Sequence, residues 1–487
     1  MPASTETTGG GGVAWCTSGR RFESEVPLAA SVAIGSIVEL RCADGRTFLG
    51  QVTGATVAVD ADRVRVQVAS GRIEAELVDG SLEPAGVDTV FDKAMIDPAP
   101  AEAVQDWRQR ALGPPAGTFT LGTDRSSPTV AARLAGRGFA RHTFLCGQSG
   151  AGKTYTLGLL LEELLLHTDL RIIVLDPNSD YVHLGQLSGE ADDRLAQRAA
   201  EVSSRVCVFR SGDAPYRLRV RFGRMPLDIQ ALVLALDPVA DPEEFHALSR
   251  ATETIDGHEY SLGTLRRGLD LTDGSQRALA LRIDNLGASS WDVWANEHES
   301  PLLDQLPADW RAAVMDLGSL TSTAEQSVIA ASVLSALWLQ RRSRNPVLVV
   351  IDEAHNICPQ HPASHTQALA TTQAINIAAE GRKFGLYLML ASQRPQKLHE
   401  NVLSQCENLL LMRVNSRSDL AHLATIFSHV PEAMIAQAAD FQLGEGLAAG
   451  RISPVPVVFR SGPRRSPEGG GDVPTSVWVP EPPTATA

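Results

Sequence analysis

The chain has 487 residues and a formal net charge of −14. That length carries two or three domains with at least one sizeable core. The acidic balance excludes broad, non-specific adhesion to nucleic acid but leaves room for a restricted surface such as a ring pore.

In chain order, residues 1–18 are expected to be disordered, since "MPASTETTGGGG" is polar and glycine-rich. It does not read as a signal peptide, and no apolar run approaches the roughly 18 residues that span a bilayer, so a cytoplasmic protein is expected. Over residues 19–100, "SVAIGSIVELRC", "TFLGQVTGATVAV" and "RVRVQVASGRIEAELV" alternate apolar and polar positions, with turns such as "ADGR" and "SGR" between them. Short strands at this spacing predict a small β-barrel. A short helical segment and the linker "LGPPAG" follow.

Residues 101–225 and 311–462 form one α/β unit. "HTFLCG", "LRIIVLD", "RVCVFRS", "VLVVID", "LYLMLAS" and "NLLLMRV" are near-continuously apolar, as buried parallel strands are. Helical patterns such as "LGLLLEELLLH" alternate with them, which predicts a doubly wound sheet. Between residues 226 and 310 the pattern turns amphipathic and helical, giving a helical insertion. The tail 463–487, rich in Pro, Gly and Ser, is expected to be disordered. The six cysteines include no C-x-x-C pair, which excludes zinc-ribbon and thioredoxin-like chemistry. Several lie in apolar runs and read as small buried hydrophobes.

"GQSGAGKT", residues 147–154, fits G-x-x-x-x-G-K-[ST] and sits between an apolar strand and a helix, the context that gives the match meaning. Gly147, Gln148, Ser149, Gly150, Ala151 and Gly152 would wrap a phosphate with inward-pointing amides, aided by the helix N-terminus. Lys153 would reach the β- and γ-phosphates of ATP, with Tyr155 following in the same site. Thr154 would place its hydroxyl on Mg²⁺. "VLVVIDEAH", residues 347–355, ends a buried strand in two acids. Asp352 would hold the Mg²⁺ ion and Glu353 would orient and deprotonate the attacking water. The letters D-E-A-H also occur in RNA helicases with two lobes, but only a short tail follows residue 462, so no second lobe is expected.

In "AAEGRKFGLYLMLASQRP", residues 378–395, Arg382 precedes an apolar strand and Gln393 closes it. Arg382 either offsets the negative end of a helix or reaches a phosphate. Arg141, before the phosphate-loop strand, is a second candidate. "FRSGDAPYRLRVRFGR" carries Arg210, Arg217, Arg219, Arg221 and Arg224, three of them alternating. It reads equally as a face that tracks DNA phosphates or as a solvated edge strand.

Five segments together resemble the HerA-like branch of the HerA–FtsK ATPases. They are "AIGSIVEL…GRTFLGQVTG", similar to that family's HAS barrel, "RHTFLCGQSGAGKT", "VLDPNSDY", "VIDEAHNICP" and "EGRKFGLYLMLASQRP". The resemblance implies a RecA-like P-loop NTPase core that hydrolyses ATP with Mg²⁺. It also implies a homo-oligomeric, hexameric ring that translocates double-stranded DNA and works with a partner nuclease or other effector. Arg382 would then approach ATP across a subunit boundary, and Gln393 would sense the γ-phosphate or the attacking water. An ATP-switched scaffold that regulates an effector enzyme, as in an anti-phage defence complex, is the alternative. Two departures are the lack of an obvious long C-terminal helix and "DPNSDY" where relatives often carry a Gly-Glu pair.

Overall fold

Alternation of buried and exposed residues builds the first unit. In β2 (Arg21–Pro27), Phe22, Ser24 and Val26 point inward while their neighbours face water. The computed structural model describes residues 12–59, 64–87, 89–188, 193–255 and 259–469. The strand before β2 is β1 (Gly12–Ser18), and after it come β3 (Ile37–Cys42), β4 (Thr47–Val59), β5 (Arg65–Val78), β6 (Ser81–Pro84) and β7 (Ala94–Pro98). The sheet runs β2-β1-β7-β3-β4-β5-β6, and a further β2–β5 pairing closes it into a six-stranded barrel with β6 on its flank. Closure leaves few bare edges. The interior is filled by side chains that include Phe22, Val38, Leu40, Phe48, Ile73 and Ile96.

The expected disorder of residues 1–18 is corrected from Gly12 onward. β1 pairs with both β2 and β7, and Ala14 is fully buried. The turn at Gly19 takes a positive φ of 51°, which lets the chain reverse there. Residues 1–11 lie outside the described residues.

Helix α1 (Ala101–Leu112) leads from the barrel into a 12-stranded sheet. Its first members are the hairpin β8 (Thr118–Asp124) and β9 (Ala131–Ala135), then β10 (Thr143–Cys146), α2 (Lys153–His167), β11 (Arg171–Asp176), α3 (Asp193–Ser203), β12 (Val206–Arg210) and β13 (Tyr216–Arg217). The helical insertion follows as α4 (Leu227–Val233), α5 (Pro242–Thr254), α6 (Leu262–Gly268) and α7 (Gly274–Asn285). Ser261 and Asp273 cap α6 and α7 with their side-chain oxygens. The chain re-enters the sheet through β14 (Ala312–Asp316), α8 (Thr323–Leu339), β15 (Val347–Ile351), α9 (His365–Glu380) and β16 (Leu386–Ser392). It closes with α10 (Glu400–Leu403), β17 (Asn408–Leu411), α11 (Arg417–Ile426), α12 (Glu432–Ala436), β18 (Glu445–Gly450) and β19 (Ser453–Ser461).

Strand order is β13-β12-β14-β11-β15-β16-β10-β17-β18-β19-β8-β9. From β13 to β17 the neighbours are parallel, and β18, β19, β8 and β9 extend the sheet with antiparallel pairs. β14 and β15 are buried along their whole length, so both faces of the sheet carry apolar layers. The strand beside the phosphate loop, β10, lies between β16 and β17, and β16 separates it from β15. A RecA-like core has this arrangement, and all of its carboxyl ends open on one side of the sheet.

The expected disorder of 463–487 is corrected for residues 463–469, which pack against α2. Glu162, 0% exposed, accepts from Arg464 Nε at 3.2 Å, Arg465 N at 2.7 Å and Ser466 N at 3.0 Å. A carboxylate taking a guanidinium and two backbone donors supplies order that composition does not show. Residues 470–487 lie outside the described residues.

Candidate active site

The loop between β10 and α2 is shaped by two glycines in the left-handed region, Gly150 at φ 71° and Gly152 at φ 89°. Strand-side neighbours brace it. Gln148 N donates to Arg413 O at 2.9 Å, and Gly444 N to Ala151 O at 3.4 Å. The loop thus presents Lys153 and Thr154 at the start of α2, on the carboxyl side of the sheet.

Lys153 is 5% exposed and its Nζ donates to Asp352 Oδ1 at 2.5 Å and Glu353 Oε1 at 2.9 Å. Burial opposes the ammonium, but Asp352 and Glu353 outweigh it and hold its pKa above the ordinary lysine value. Burial likewise opposes the Glu353 carboxylate. Lys153, Gln393 and His355 outweigh that and keep Glu353 below the usual carboxylate value, hence ionised. Glu353 adopts φ 42°, a strained conformation for a residue with a Cβ. Its own amide donates to Asp352 Oδ1 at 2.8 Å. The kink turns the Glu353 side chain back toward Lys153 rather than on along the strand axis.

Gln393, at the carboxyl end of β16, donates through Nε2 to Glu353 Oε1 at 2.9 Å. Sequence reasoning named Lys153, Thr154, Asp352, Glu353 and Gln393, and the fold gathers them at one cleft. It did not give roles to Tyr181 or His355. Tyr181, fully buried, donates its hydroxyl to Asp352 Oδ2 at 3.2 Å. His355 Nδ1 lies 3.3 Å from Glu353 Oε2 and 3.1 Å from Ser392 Oγ. Tyr181 stands in "DPNSDY" and His355 in "DEAH", but no spacing rule assigns either a partner. Asp176 accepts the backbone amides of Asp180 and Tyr181 at 3.0 and 2.9 Å and so folds the loop that carries Tyr181. Burial pushes its pKa up to about 7.

The donors suit a hydrated Mg²⁺ bound together with a polyphosphate. Thr154 and Asp352 are hard oxygen ligands. Glu353 Oε2 is buried without a hydrogen-bond partner and is an acceptor suited to water. Among the described residues there is no cluster of three or more His, Cys, Asp or Glu that could hold a metal alone. An ion held partly by substrate oxygens needs none.

Arg382 is not at this cleft. It lies just before β16, whereas Gln393 lies just after it. The seven residues of β16 set the two apart by roughly 20 Å, at about 3.3 Å per residue. Arg382 pairs through Nη1 with Glu407, and Arg141 Nε lies 3.1 Å from the same carboxylate. Both arginine side chains are 40% exposed at the amino edge of the parallel strands. Beneath them His142 Nδ1 accepts from Leu388 N at 2.9 Å. Burial, with Arg382 and Arg141 adding to it, pushes His142 down to about 4, so it is neutral.

The basic run 210–224 does not form one free basic face. Arg210 ends β12 and only Tyr216–Arg217 is a further strand there, and every arginine has an acid beside it. Arg210 meets Asp316 at 2.7 Å, Arg217 meets Glu299 at 3.1 Å and Arg219 meets Asp292 at 2.6 Å. Arg221 lies 3.5 Å and Arg224 2.5 Å from Glu259. Asp316 ends β14 and the other acids come from the insertion, all distant in sequence, which the local alternation could not reveal.

Residues 119–337 match the family model described as "Helicase HerA, central domain". That stretch is similar to a HerA-type central domain and makes up less than half of the chain. It is 32% identical over 125 residues to a protein from Saccharolobus solfataricus named "DNA double-strand break repair helicase HerA", covering 25% of this chain and 24% of that one. A "Probable helicase" from Methanocaldococcus jannaschii aligns over 357 residues at 22% identity, 66% of each chain. The matches to the first three curated relatives span only 22% to 30% of their lengths. Among solved structures, VirB4 of Thermoanaerobacter pseudethanolicus superimposes with a TM-score of 0.49 at 18% identity, over 72% of this chain and 98% of that one. The HerA match spans β8 to α8, so it includes the phosphate loop but ends before Asp352, Glu353 and Gln393. No helix among the described residues is long and apolar enough to cross a membrane.

Proposed function

We propose that this HerA-like chain is the subunit of an ATP-hydrolysing motor, a homo-oligomeric hexameric ring that translocates double-stranded DNA in the cytoplasm. One observation carries the ring reading: the full length of β16 separates Arg382 from its own Glu353, while Arg382 stays exposed. An arginine so placed cannot serve its own cleft, but on leaving Glu407 it would be able to enter a neighbour's. A guanidinium supplied there offsets the charge on the transferred phosphoryl oxygens.

Within each cleft, Lys153 would exchange its two carboxylates for the β- and γ-phosphates. That releases Glu353, ionised and turned inward, to take a proton from water at Oε2. Gln393 positions Glu353, and Tyr181 positions Asp352. Thr154 and Asp352 would hold Mg²⁺, which would supply neutralisation of phosphate charge.

Mixing Lys153→Ala and Arg382→Ala subunits tests the shared site. Each variant alone is inactive, and mixed assemblies regain turnover at the interfaces where the intact halves meet. Co-assembled chains with no recovered turnover overturn the shared site.

A second reading has its own support. With every arginine of the 210–224 run paired and a net charge of −14, an ATP-switched scaffold for a nuclease or other effector, such as an anti-phage enzyme, also fits. Duplex DNA that stimulates ATP turnover favours the motor. Turnover indifferent to DNA but raised by a partner protein favours the scaffold.

A further inference from the structure

The cleft at the phosphate loop has a volume of about 800 Å³ in all, more room than a triphosphate fills, and extends beyond the loop itself. One side of this extension is made by Leu443 and Arg460, the other by Asn178, Asp180 and Glu468. Leu443 is 67% exposed, an apolar side chain left open at the rim.

Glu468 is brought there by the strap after β19. Glu162, on the third turn of the helix that opens with Lys153, is the anchor described above, and Ser466 Oγ adds a fourth donor to it at 2.5 Å. Arg464 N donates to Tyr155 Oη at 2.9 Å. The Arg464 guanidinium lies flat over Gly158, where a Cβ would come within 2.3 Å of Cζ, so this helix position has to lack a side chain. Arg464 is 3% exposed, and its Nη1 is buried without a hydrogen-bond partner, 3.6 Å from Glu468 Oε1. The strap ends with Gly469 N donating to Asp180 O at 3.0 Å. Buried polar groups fix its course from the α2 helix to the loop after β11, and Glu468 stands on the cleft side of that course.

We propose that the strap is the nucleoside wall of the site, with Glu468 accepting the ribose hydroxyls of a bound ribonucleoside triphosphate. This rests on the nucleotide reading above. A carboxylate suits the two neighbouring hydroxyls of a ribose, the use made of an acid in dinucleotide sites. Arg460 and Leu443 then face the base from the opposite side, a planar cation and an apolar surface for a planar, weakly polar ring. Asp180, whose pKa burial pushes up to about 6, shares the Glu468 side of the cleft.

Calorimetric titration of the full chain with ATP, 2′-deoxy-ATP and inorganic tripolyphosphate, each with Mg²⁺, tests this. Loss of charge-assisted hydrogen bonds to the ribose predicts that Glu468→Ala weakens ATP by about tenfold or more. Tripolyphosphate affinity stays as in the wild type, and the preference for ATP over 2′-deoxy-ATP disappears. Glu468 is half exposed, so its removal spares the fold. Arg460→Ala, on the opposite side, weakens both nucleotides and again spares tripolyphosphate. Unchanged ATP affinity in Glu468→Ala, or an equal loss for ATP and tripolyphosphate, overturns the nucleoside wall while leaving the phosphate site intact. A wild-type chain that binds none of the three overturns the nucleotide reading itself.

Discussion

Gln393 Nε2 and Lys153 Nζ donate to the same oxygen of Glu353, each at 2.9 Å, and so leave Glu353 Oε2 as the unshared acceptor. The two donors come from different elements, Gln393 from the carboxyl end of β16 and Lys153 from the first turn of α2. Removing the base and removing its support therefore have different effects. Glu353→Gln keeps shape but loses proton acceptance, and ATP turnover falls about 10²–10⁴-fold while ATP still binds. Gln393→Ala frees one side of Glu353 and gives a smaller fall, roughly tenfold to a hundredfold, in kcat. Steady-state turnover beside equilibrium ATP binding separates the two. Near wild-type turnover in Glu353→Gln removes it from the chemistry.

His142 sets a pH dependence of stability. Its pKa in the folded chain is about 4, against an ordinary value of 6.5. Between those values the unfolded chain takes up a proton that the folded chain refuses, so stability falls as pH drops from 6.5 toward 4. Above 6.5 the contribution is flat. His142→Asn removes this slope, although it also disturbs the acceptor for Leu388 N. Urea unfolding at pH 5 and at pH 7 checks it: the difference between the two pH values shrinks in the variant. An unchanged difference shows that other groups carry the acid sensitivity.

The joint between α1 and β8 rests on Arg108 and Asp124, 2.6 Å apart with side chains 8% and 2% exposed. Asp124→Ala strands a buried guanidinium and costs about 3–5 kcal/mol, whereas replacing both residues with apolar ones of similar size is near neutral. Thermal unfolding of the single and double variants separates a needed ion pair from a replaceable one.

The pairing of the basic run makes a negative prediction. Arg219 is 13% exposed and held by Asp292, so Arg219→Ala leaves the affinity for duplex DNA and its salt slope unchanged. A slope reduced by about one unit would make this arginine a phosphate contact after all.

The strands that carry the site were readable because each is a continuous apolar run that ends in a polar residue with a chemical role. β15 runs into Asp352 and Glu353, and β16 runs into Gln393. β14, "AAVMD", lies between β12 and β11 yet carries two alanines and little local signal. β19 contains Pro454 and Pro456, which lower any strand assignment. The strap residues 463–469 read as tail because what orders them, Glu162, lies on a helix far earlier in the chain. Motif spacing gave the acids and the lysine. Tyr181 and His355 needed three-dimensional proximity, and so did the distance of Arg382 from its own cleft.

The position of β10 has a consequence for synthesis. Phe144 is flanked by Leu390 and Leu409, strand partners made long after it. The segment bearing the phosphate loop therefore leaves the ribosome with both edges bare. At about 5–20 residues per second it waits on the order of tens of seconds for those partners. Over that interval it is an apolar edge open to wrong pairing, a task for chaperones. A nascent chain cannot grip nucleotide in its finished geometry until nearly all of the sheet exists.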